Sequence, residues 1–255
     1  MQIFKTGGTR EAHYPADPQK PLISIIIVTL NAEAQLENCI SSILNQVYQN
    51  MEIIVFDGGS TDSTGSLLEK YSQNITYWQT EPDNGIYDAM NKAVQKAKGD
   101  WLYFIGADDQ LLEGFSLMIG KLKDSRTIYY GDMSYNGERT DRKKYTAYRL
   151  SKETICHQAM IYPAQVFEQY QYDLTYPLAA DWALNLNLWA DKQFRFQFYS
   201  LMMANFSMTG ASSIQKDHQF LIDLPVLIKE KLGWAVYLRY LLKQAKKRFR
   251  QPLLA

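Results

Sequence analysis

Short runs of β-branched and aromatic residues alternate with amphipathic segments along the first 110 residues of the chain. The runs have the length and composition of buried strands, and the segments carry apolar residues at three- and four-residue steps, as helices do. The pattern predicts strands at 22–28, 52–56, 75–79 and 101–105, and helices at 36–47, 63–71 and 86–97. This β-α-β-α-β-α-β order is typical of an α/β fold with a mostly parallel sheet and helices on both faces.

Beyond residue 110 the periodicity becomes mixed. We predict strands at 127–133, 194–198 and 203–208 and a helix that opens at Asp181. We therefore divide the chain into a leader at 1–21, one domain at 22–224 with halves 22–110 and 111–224, and a helical tail at 225–255. Pro15, Pro18 and Pro21 argue against regular structure in the leader.

Acidic residues follow the predicted strands at the point where each strand ends. Asp57, Asp83 and the adjacent pair Asp108 and Asp109 all lie just past a strand. The carboxyl ends of parallel strands meet at one edge of a sheet, where α/β proteins bind their ligands. Each acid could also be a turn residue or a helix cap. The pair Asp108–Asp109 favours a divalent cation carrying a phosphate, because neighbouring carboxylates repel each other without a positive partner.

No glycine-rich phosphate loop accompanies these acids. The sequence contains neither G-x-G-x-x-G after the first strand nor G-x-x-x-x-G-K-[ST]. A bound diphosphate would then need a cation to balance its charge, which strengthens the metal interpretation.

Composition and charge limit the class of protein. Apolar residues make up 46% of the 255 residues, enough for a sizeable core. The two cysteines, Cys39 and Cys156, lie in apolar patterns, which favours buried thiols over a disulfide. The first twenty residues lack the apolar segment of a signal peptide, so we predict a cytoplasmic protein. Residues 1–230 carry a net charge of −7 and residues 231–255 a charge of +7.

Four motifs in this order resemble family-2 glycosyltransferases with the GT-A fold. They are SIIIVTLNAE at 24–33, DGGSTD at 57–62, DNGIYDAMNK at 83–92 and GADD at 106–109. The resemblance implies a nucleotide-binding sheet flanked by helices that merges into a mixed α+β acceptor half. It is strong to residue 110, looser through the helix at Asp181, and uninformative for the last 45 residues.

The resemblance also implies roles for individual residues. Thr29, Asn31 and Glu33 would line the base and ribose pocket, and Asp57 would hydrogen-bond the base. Asp83 would lie beside the base or ribose, and Gly85 would let the backbone approach. One of Asp108 and Asp109 would contact the ribose and the other would hold Mg²⁺ or Mn²⁺. The sequence has Gly106 where many relatives carry the first acid of this motif, which leaves the division of labour between the two open.

Two further residues are implied on the acceptor side. Asp181 matches the acid that opens the acceptor helix and acts as general base in the family; it could also merely cap its helix. His157 stands where a histidine lies near the diphosphate or acceptor, so it could be a third metal ligand or a phosphate donor. A histidine at a strand start could equally be a structural residue with its hydrogen bonds satisfied.

The tail has an amphipathic pattern. Its apolar residues, at helical spacing, are Trp234, Tyr237, Leu238, Leu241, Leu242, Ala245 and Phe249. Its basic residues are Arg239, Lys243, Lys246, Lys247 and Arg250 on the opposite face, with Arg248 nearer the apolar side. The pattern favours an anionic membrane surface contacted through 234–250. Packing of the apolar side on the body of the protein is the alternative, and nucleic acid is not an expected partner because the body is acidic.

Together these features predict an inverting, metal-dependent glycosyltransferase. It would move a sugar from a nucleotide diphosphate, with uracil the expected base, to a lipid-linked or polysaccharide acceptor at the inner face of a bacterial plasma membrane. A nucleotide-sugar-binding subunit without transfer activity is the alternative. A nucleotidyltransferase is less consistent with the sequence, because it would need a basic, glycine-rich loop after the first strand and residues 29–33 contain neither glycine nor a basic residue.

Overall fold

A computed structural model of the chain describes residues 4–9, 20–135, 137–139, 144–207 and 215–250, with only the backbone described for 247–250. The strands are β1 (Lys5–Gly7), β2 (Ile23–Thr29), β3 (Met51–Asp57), β4 (Tyr77–Thr80), β5 (Trp101–Gly106), β6 (Gln110–Leu111), β7 (Thr127–Tyr135), β8 (Glu138–Arg139), β9 (Met160–Pro163) and β10 (Arg195–Phe206). The helices are α1 (Leu36–Leu44), α2 (Thr64–Lys70), α3 (Ile86–Val94), α4 (Glu113–Ile119), α5 (Ala147–Leu150), α6 (Val166–Gln169), α7 (Ala180–Ala190), α8 (His218–Leu227) and α9 (Trp234–Arg250). A 3₁₀ turn at His157–Ala159 and a π-helical turn at Ile228–Leu232 complete the description.

One large mixed sheet runs through both halves of the chain. Its strand order is β1-β4-β3-β2-β5-β9-β7-β10-β6, and β8 pairs with β7. The strands β4, β3, β2 and β5 are parallel, as predicted for the first half. Strand β9 joins the halves, because it pairs antiparallel with both β5 and β7. The α/β architecture predicted from the sequence is therefore confirmed.

Helices cover both faces of the sheet because the side chains of each strand alternate between two cores. In β5, Leu102 and Phe104 point into one core, while Trp101, Tyr103 and Ile105 point into the other. All five are buried, which explains why the sequence shows a continuous apolar run here rather than an alternating one.

The acceptor half differs from the prediction in its last strand. Segments 194–198 and 203–208 were expected to be separate strands, but β10 is continuous through Phe206; Met208 lies outside the described residues. The register of β10 against β7 shifts between Phe198 and Ala204, so the break in the pattern marks a bulge. Gly131 clears space for it, since a β-carbon at that position would lie 2.4 Å from the carbonyl oxygen of Leu201.

The leader and the first helix also differ from the prediction. The predicted leader contains β1, which pairs antiparallel with β4 at the edge of the sheet. Pro15 and Pro18 lie outside the described residues. The first predicted helix ends at Leu44, and Val47 beyond it is 86% exposed instead of packed. Both cysteines are free thiols, as expected, but only Cys39 is buried; Cys156 is half-buried.

Candidate functional site

The ends of β2, β3 and β4 bring the predicted nucleotide-binding residues to one edge of the sheet. Thr29 and Asp57 are direct partners across the parallel pair, and Asp57 in turn pairs with Thr80. The loops that follow are tied together, since the Gly58 amide donates to the Thr29 carbonyl and the Glu81 amide donates to the Asp57 carbonyl, each at 2.9 Å. The structure thus brings these strand ends together as the parallel sheet predicted.

Thr29 and Asp57 are both buried at this edge, but they differ in their hydrogen bonds. The Asp57 carboxylate accepts from the backbone amide and the hydroxyl of Ser60, which shapes the turn after β3. The Thr29 hydroxyl has no hydrogen-bond partner among the described residues although it is buried. A buried hydroxyl without a partner costs free energy, so Thr29 is a ready contact for a ligand.

Asn31 and Glu33 lie on the loop after β2, where their side-chain oxygens hold the neighbouring loop. The Thr61 amide donates to Asn31 Oδ1 and the Ser63 amide donates to Glu33 Oε2, both at 2.9 Å. Asn31 has a φ of 50°, a left-handed conformation that asparagine tolerates better than most residues. Both side chains therefore fix the shape of the loop, whatever their contact with a nucleotide.

Asp83 and Gly85 precede α3. Asp83 Oδ1 accepts from the Gly85 amide at 2.8 Å, and Gly85 has a φ of 108° that favours glycine. Burial raises the pKa of the Asp83 carboxyl, and the charges of Asp88 and Asp57 add to the rise, against the opposing effects of the Gly85 amide and Lys92. Gly58 lies against this carboxylate, since a β-carbon at Gly58 would be 2.7 Å from Asp83 Oδ2.

Asp108 and Asp109 fold back over Gly106 at the end of β5. A β-carbon on Gly106 would lie 2.8 Å from Asp108 Oδ1 and 2.9 Å from Asp109 Oδ2. The two carboxylates therefore converge on the space that a side chain at Gly106 would fill. This gives a physical reason for glycine at the position where many relatives carry an acid.

The two acids have different surroundings. Asp108 is half-buried, whereas Asp109 is 1% exposed. Asp109 Oδ1 accepts from the Ser207 amide and Oδ2 from the Gln158 side chain, both at 2.8 Å. Burial and the charge of Asp108 raise the pKa of Asp109 to about 6, although these donors and His157 oppose the rise.

On the acceptor side, the structure brings His157 next to Asp181. His157 Nδ1 lies 3.5 Å from Asp181 Oδ2, and both side chains are buried. Neither ring nitrogen of His157 makes a hydrogen bond to any residue in the described part of the chain, so it is not a satisfied structural histidine. Asp181 lies inside the first turn of α7, whose N-cap is Ala179, so Asp181 does not cap the helix.

Buried tyrosines surround Asp181. Burial raises the pKa of Tyr87, Tyr162 and Tyr172 well above the usual value, and the charge of Asp181 adds to each rise. Tyr87 also hydrogen-bonds to Asp181. The raised pKa values keep these hydroxyls neutral, so they add no charge beside the Asp181 carboxylate.

Three contributions to the site were not predicted from the sequence: the side chain of Gln158, the backbone amide of Ser207 and the hydroxyl of Tyr87. Gln158 stands next to His157, so the motif could have drawn attention to it. The Ser207 contact joins residues 98 positions apart and uses a backbone amide. Since every residue except proline has such an amide, the sequence could not indicate this contact.

The carboxylates of Asp108 and Asp109 fit a divalent cation of the Mg²⁺ or Mn²⁺ kind, because they converge above Gly106. Such ions are commonly held by one or two carboxylates together with substrate phosphates. Within the described residues, no group of three or more His, Cys, Asp or Glu side chains is close enough to hold a metal. His157 is accordingly placed with Asp181 and not grouped with the two aspartates.

Comparisons with known proteins identify the family of this chain. The model of the family described as "Glycosyl transferase family 2" matches residues 24–183. A PGL/p-HBAD biosynthesis glycosyltransferase of Mycobacterium bovis is 34% identical over 220 residues, which cover 81% of this chain and 85% of the relative.

Solved structures share the fold at low sequence identity. S. aureus TarS 1-349 in complex with UDP-GlcNAc matches with a TM-score of 0.67 and 16% identity, over 82% of this chain and 67% of that one. A mannosyltransferase from Pyrobaculum calidifontis in complex with GDP-Man and Mn²⁺ matches with a TM-score of 0.58 and 17% identity, over 85% and 63%. The chain spans 44% of a longer TarS structure. The family match, the identity to the mycobacterial relative and the shared fold establish that this chain belongs to glycosyltransferase family 2 and is a glycosyltransferase.

Proposed function

We propose that the protein transfers a sugar with inversion from a nucleotide diphosphate, a UDP-sugar, to a hydroxyl of a lipid-linked or polysaccharide acceptor in bacterial surface glycan synthesis. The observation that carries the proposal is the pairing of two acidic centres from different halves of the chain. Asp108 and Asp109 follow β5, Asp181 opens α7, and the turn at His157–Ala159 contacts both centres.

Support for the nucleotide comes from the edge formed by β2, β3 and β4. Thr29 offers a buried hydroxyl without a partner among the described residues, and Asp57 and Asp83 are acids at the adjacent strand ends. In this proposal Thr29, Asn31, Glu33, Asp57, Asp83 and Gly85 contact the base and ribose, and Asp108 contributes to the ribose side. TarS, which shares the fold, was solved with UDP-GlcNAc.

Inverting transfer is a single displacement at the anomeric carbon. The acceptor oxygen forms a bond to that carbon while the bond to the diphosphate oxygen breaks on the opposite face. The attacking hydroxyl loses its proton, and the Asp181 carboxylate accepts it. His157 lies beside the same carboxylate, with its Nδ1 3.5 Å from Asp181 Oδ2, and buried tyrosines lie around it.

Asp108 and Asp109 would hold Mg²⁺ or Mn²⁺, whereas His157, which the resemblance offers as a third ligand, lies beside Asp181 instead. The ion would balance the negative charge that grows on the departing diphosphate. The mannosyltransferase with the same fold was solved with Mn²⁺.

Calorimetric binding of UDP, GDP and dTDP, each with Mn²⁺ and again with EDTA, tests the donor site. We expect UDP to bind at least tenfold more tightly than the other two, and only with Mn²⁺. Equal binding with EDTA would contradict the role of Asp108 and Asp109, and preference for GDP or dTDP would contradict the proposed base.

The proposal includes peripheral association with an anionic membrane at its inner face through 234–250. Among the described residues, no helix has the length and apolar content to cross a bilayer. Support comes from the way α9 meets the body: Val236, Tyr237 and Tyr240 pack against the core. Trp234, Leu238 and Leu242 lie on a different side of the helix from these three residues, and they are 60%, 53% and 64% exposed.

The helix thus has three faces rather than the two expected from the pattern. At 100° per residue, Trp234, Leu238, Leu241 and Leu242 fall within one arc of about 100°, and Arg239, Lys243 and Lys246 fall within the next. The body contacts the third arc. The alternative in which the whole apolar side packs on the body is wrong for these four exposed side chains. The side chains of 247–250 lie outside the description.

Charge favours an anionic bilayer as the partner of this surface. The exposed basic residues Arg239, Lys243 and Lys246 border the exposed apolar arc. The Nζ atom of Lys229 lies 4.4 Å from the ring centre of Trp234, which belongs to that arc. Because residues 1–230 carry a net charge of −7, the tail is the part of the chain attracted to such a surface.

Flotation of the full chain with vesicles tests the association. We expect binding to vesicles containing phosphatidylglycerol and little binding to phosphatidylcholine alone. The double variant Leu238→Ser, Leu242→Ser should weaken binding by at least tenfold, because burying one leucine contributes about 1.5–3 kcal/mol.

The matched control is Val47→Ser, Leu117→Ser, which removes two side chains that are exposed far from the tail in sequence. It should bind vesicles as the unchanged chain does. If the unchanged chain does not bind anionic vesicles, the membrane proposal is wrong. If it sediments as a dimer that Leu238→Ser, Leu242→Ser dissociates, another copy of the chain covers this face and the membrane proposal is also wrong.

A further inference from the structure

Gln158 is a buried side chain with a fixed partner at each end of its amide. It is 3% exposed. Its Nε2 donates to Asp109 Oδ2 at 2.8 Å, and its Oε1 accepts from the Cys156 thiol. Its backbone carbonyl accepts from the Tyr103 hydroxyl at 2.5 Å. Because Cys156 donates to the oxygen, the amide is oriented with its nitrogen toward Asp109.

The turn that carries Gln158 is itself anchored to the acceptor helix α7. Asn185 Nδ2 donates to the Ile155 carbonyl at 2.8 Å and to Thr154 Oγ1 at 2.9 Å. Trp182 Nε1 donates to the Leu150 carbonyl at 2.7 Å. These contacts fix the chain two residues before His157, whose Nδ1 lies 3.5 Å from Asp181 Oδ2.

From this arrangement we infer that Gln158 is a positioning residue that holds the donor-side carboxylate of Asp109 in register with the acceptor-side pair His157 and Asp181. The inference rests on the proposed function, because it assigns a purpose to the spacing between the two acidic centres. Gln158 itself touches neither reacting bond.

The chemistry of the amide suits this role better than an ion or an apolar side chain would. A lysine or arginine at this position would pair with Asp109 and neutralise the charge needed for a cation. An apolar residue would leave Asp109 Oδ2 with the weaker, 3.3 Å contact from the Gly106 amide. A neutral donor fixes the direction of the carboxylate and leaves its charge in place.

Spacing between the two centres matters because displacement needs the acceptor oxygen, the anomeric carbon and the leaving oxygen nearly in line. A shift of about 1 Å in such an arrangement can reduce the rate on the order of 100-fold. Residues that orient ligand carboxylates typically contribute about 10–100-fold. The expected effect of Gln158 lies in this range.

The test is Gln158→Met, which keeps the length of the side chain and removes the amide. The matched control is Gln46→Met, since Gln46 is also buried and hydrogen-bonded, to Leu111 and Ser116, away from His157 and Asp181. We expect Gln158→Met to lower kcat about 10–100-fold and to weaken UDP binding with Mn²⁺, while Gln46→Met changes neither beyond threefold.

Two readouts separate positioning from a general loss of stability. In a double-mutant cycle with Asp109→Asn, Gln158→Met should have little further effect on UDP binding, because its partner is already altered. Amide hydrogen exchange at 203–207 should speed up at least tenfold in Gln158→Met, since the Ser207 amide donates to the same carboxylate.

A kcat within threefold of the unchanged chain, additive effects in the cycle, or unaltered exchange at 203–207 would each overturn the inference. Failure of the proposed function is seen separately, in the unchanged chain, as absence of sugar transfer and of donor binding. The exchange measurement needs neither, so it decides the role of Gln158 toward Asp109 in either case.

Discussion

Replacing Asp181 with asparagine is expected to abolish sugar transfer while leaving donor binding nearly intact. Asparagine has almost the same shape and can still lie against His157, but it cannot accept the proton of the acceptor hydroxyl. General-base catalysis of this kind contributes about 10²–10⁴-fold, so kcat should fall by that factor. Initial rates of transfer, together with the calorimetric affinity for UDP and Mn²⁺, measure both parts of the expectation.

Asp191→Asn is the matched control, because Asp191 lies at the other end of the same helix. Its carboxylate accepts from the Tyr170 hydroxyl and the Gln193 amide, away from the pair formed by His157 and Asp181. This variant should transfer sugar at nearly the normal rate. Unchanged turnover in Asp181→Asn would remove Asp181 from the role of base, whereas a parallel loss of UDP binding would assign it to the donor site.

The second large effect concerns stability and pH at Asp109. The pKa of this carboxyl is raised to about 6, above the value of about 3.9 that it takes in an unfolded chain. Between these values the folded protein binds a proton that the unfolded chain has released. The free energy of unfolding should therefore fall as pH rises from 4 to 7, by about 3 kcal/mol in total.

Asp109→Asn should remove this fall, because asparagine does not titrate. Urea unfolding at a series of pH values, without nucleotide or metal, measures it. The variant should be at least as stable as the unchanged chain at pH 7.5 and should bind UDP with Mn²⁺ at least tenfold more weakly. Asp124→Asn, at an exposed acid whose pKa is lowered by hydrogen bonds, should leave the fall in place. An identical pH dependence in Asp109→Asn would contradict the raised pKa.

The prediction for Asp109 describes a cost of function at a single residue. Asp109 accepts hydrogen bonds from the Ser207 amide, the Gln158 side chain and, more weakly, the Gly106 amide, but its buried position disfavours its charge, and the charge of Asp108 adds to this effect. A cation shared with a diphosphate would relieve that repulsion. We therefore expect the unliganded protein to be no more stable at neutral pH than its Asp109→Asn variant.

The first half of the fold could be predicted from the sequence because its information is local. The apolar runs at 22–28 and 101–105 are strands, and Asp83, Asp108 and Asp109 follow strand ends as the pattern indicated, whereas Asp57 is the last residue of β3 instead of lying past it. The motifs then identified the family, which the comparisons confirm. The roles of individual side chains toward base, ribose and metal stay predictions.

The contacts between the halves could not be predicted, because they depend on distant positions meeting in space. Gln158 reaches Asp109 across 49 positions, and His157 reaches Asp181 through the anchoring of its turn to α7. The exposure of Trp234 and Leu238 likewise follows from the angle at which α9 meets the body, and residue type does not record that angle.

Strand β1 has a consequence for any shortened form of the protein. Its three residues pair with Thr80, Gln79 and Trp78, so they occupy the outer hydrogen-bonding side of β4. Without them, the row of backbone donors and acceptors along β4 would be open to strands of other molecules, which is how unprotected sheets associate edge to edge. We therefore expect removal of β1 to increase self-association of the protein, because the backbone groups of β4 that it now pairs with would be exposed.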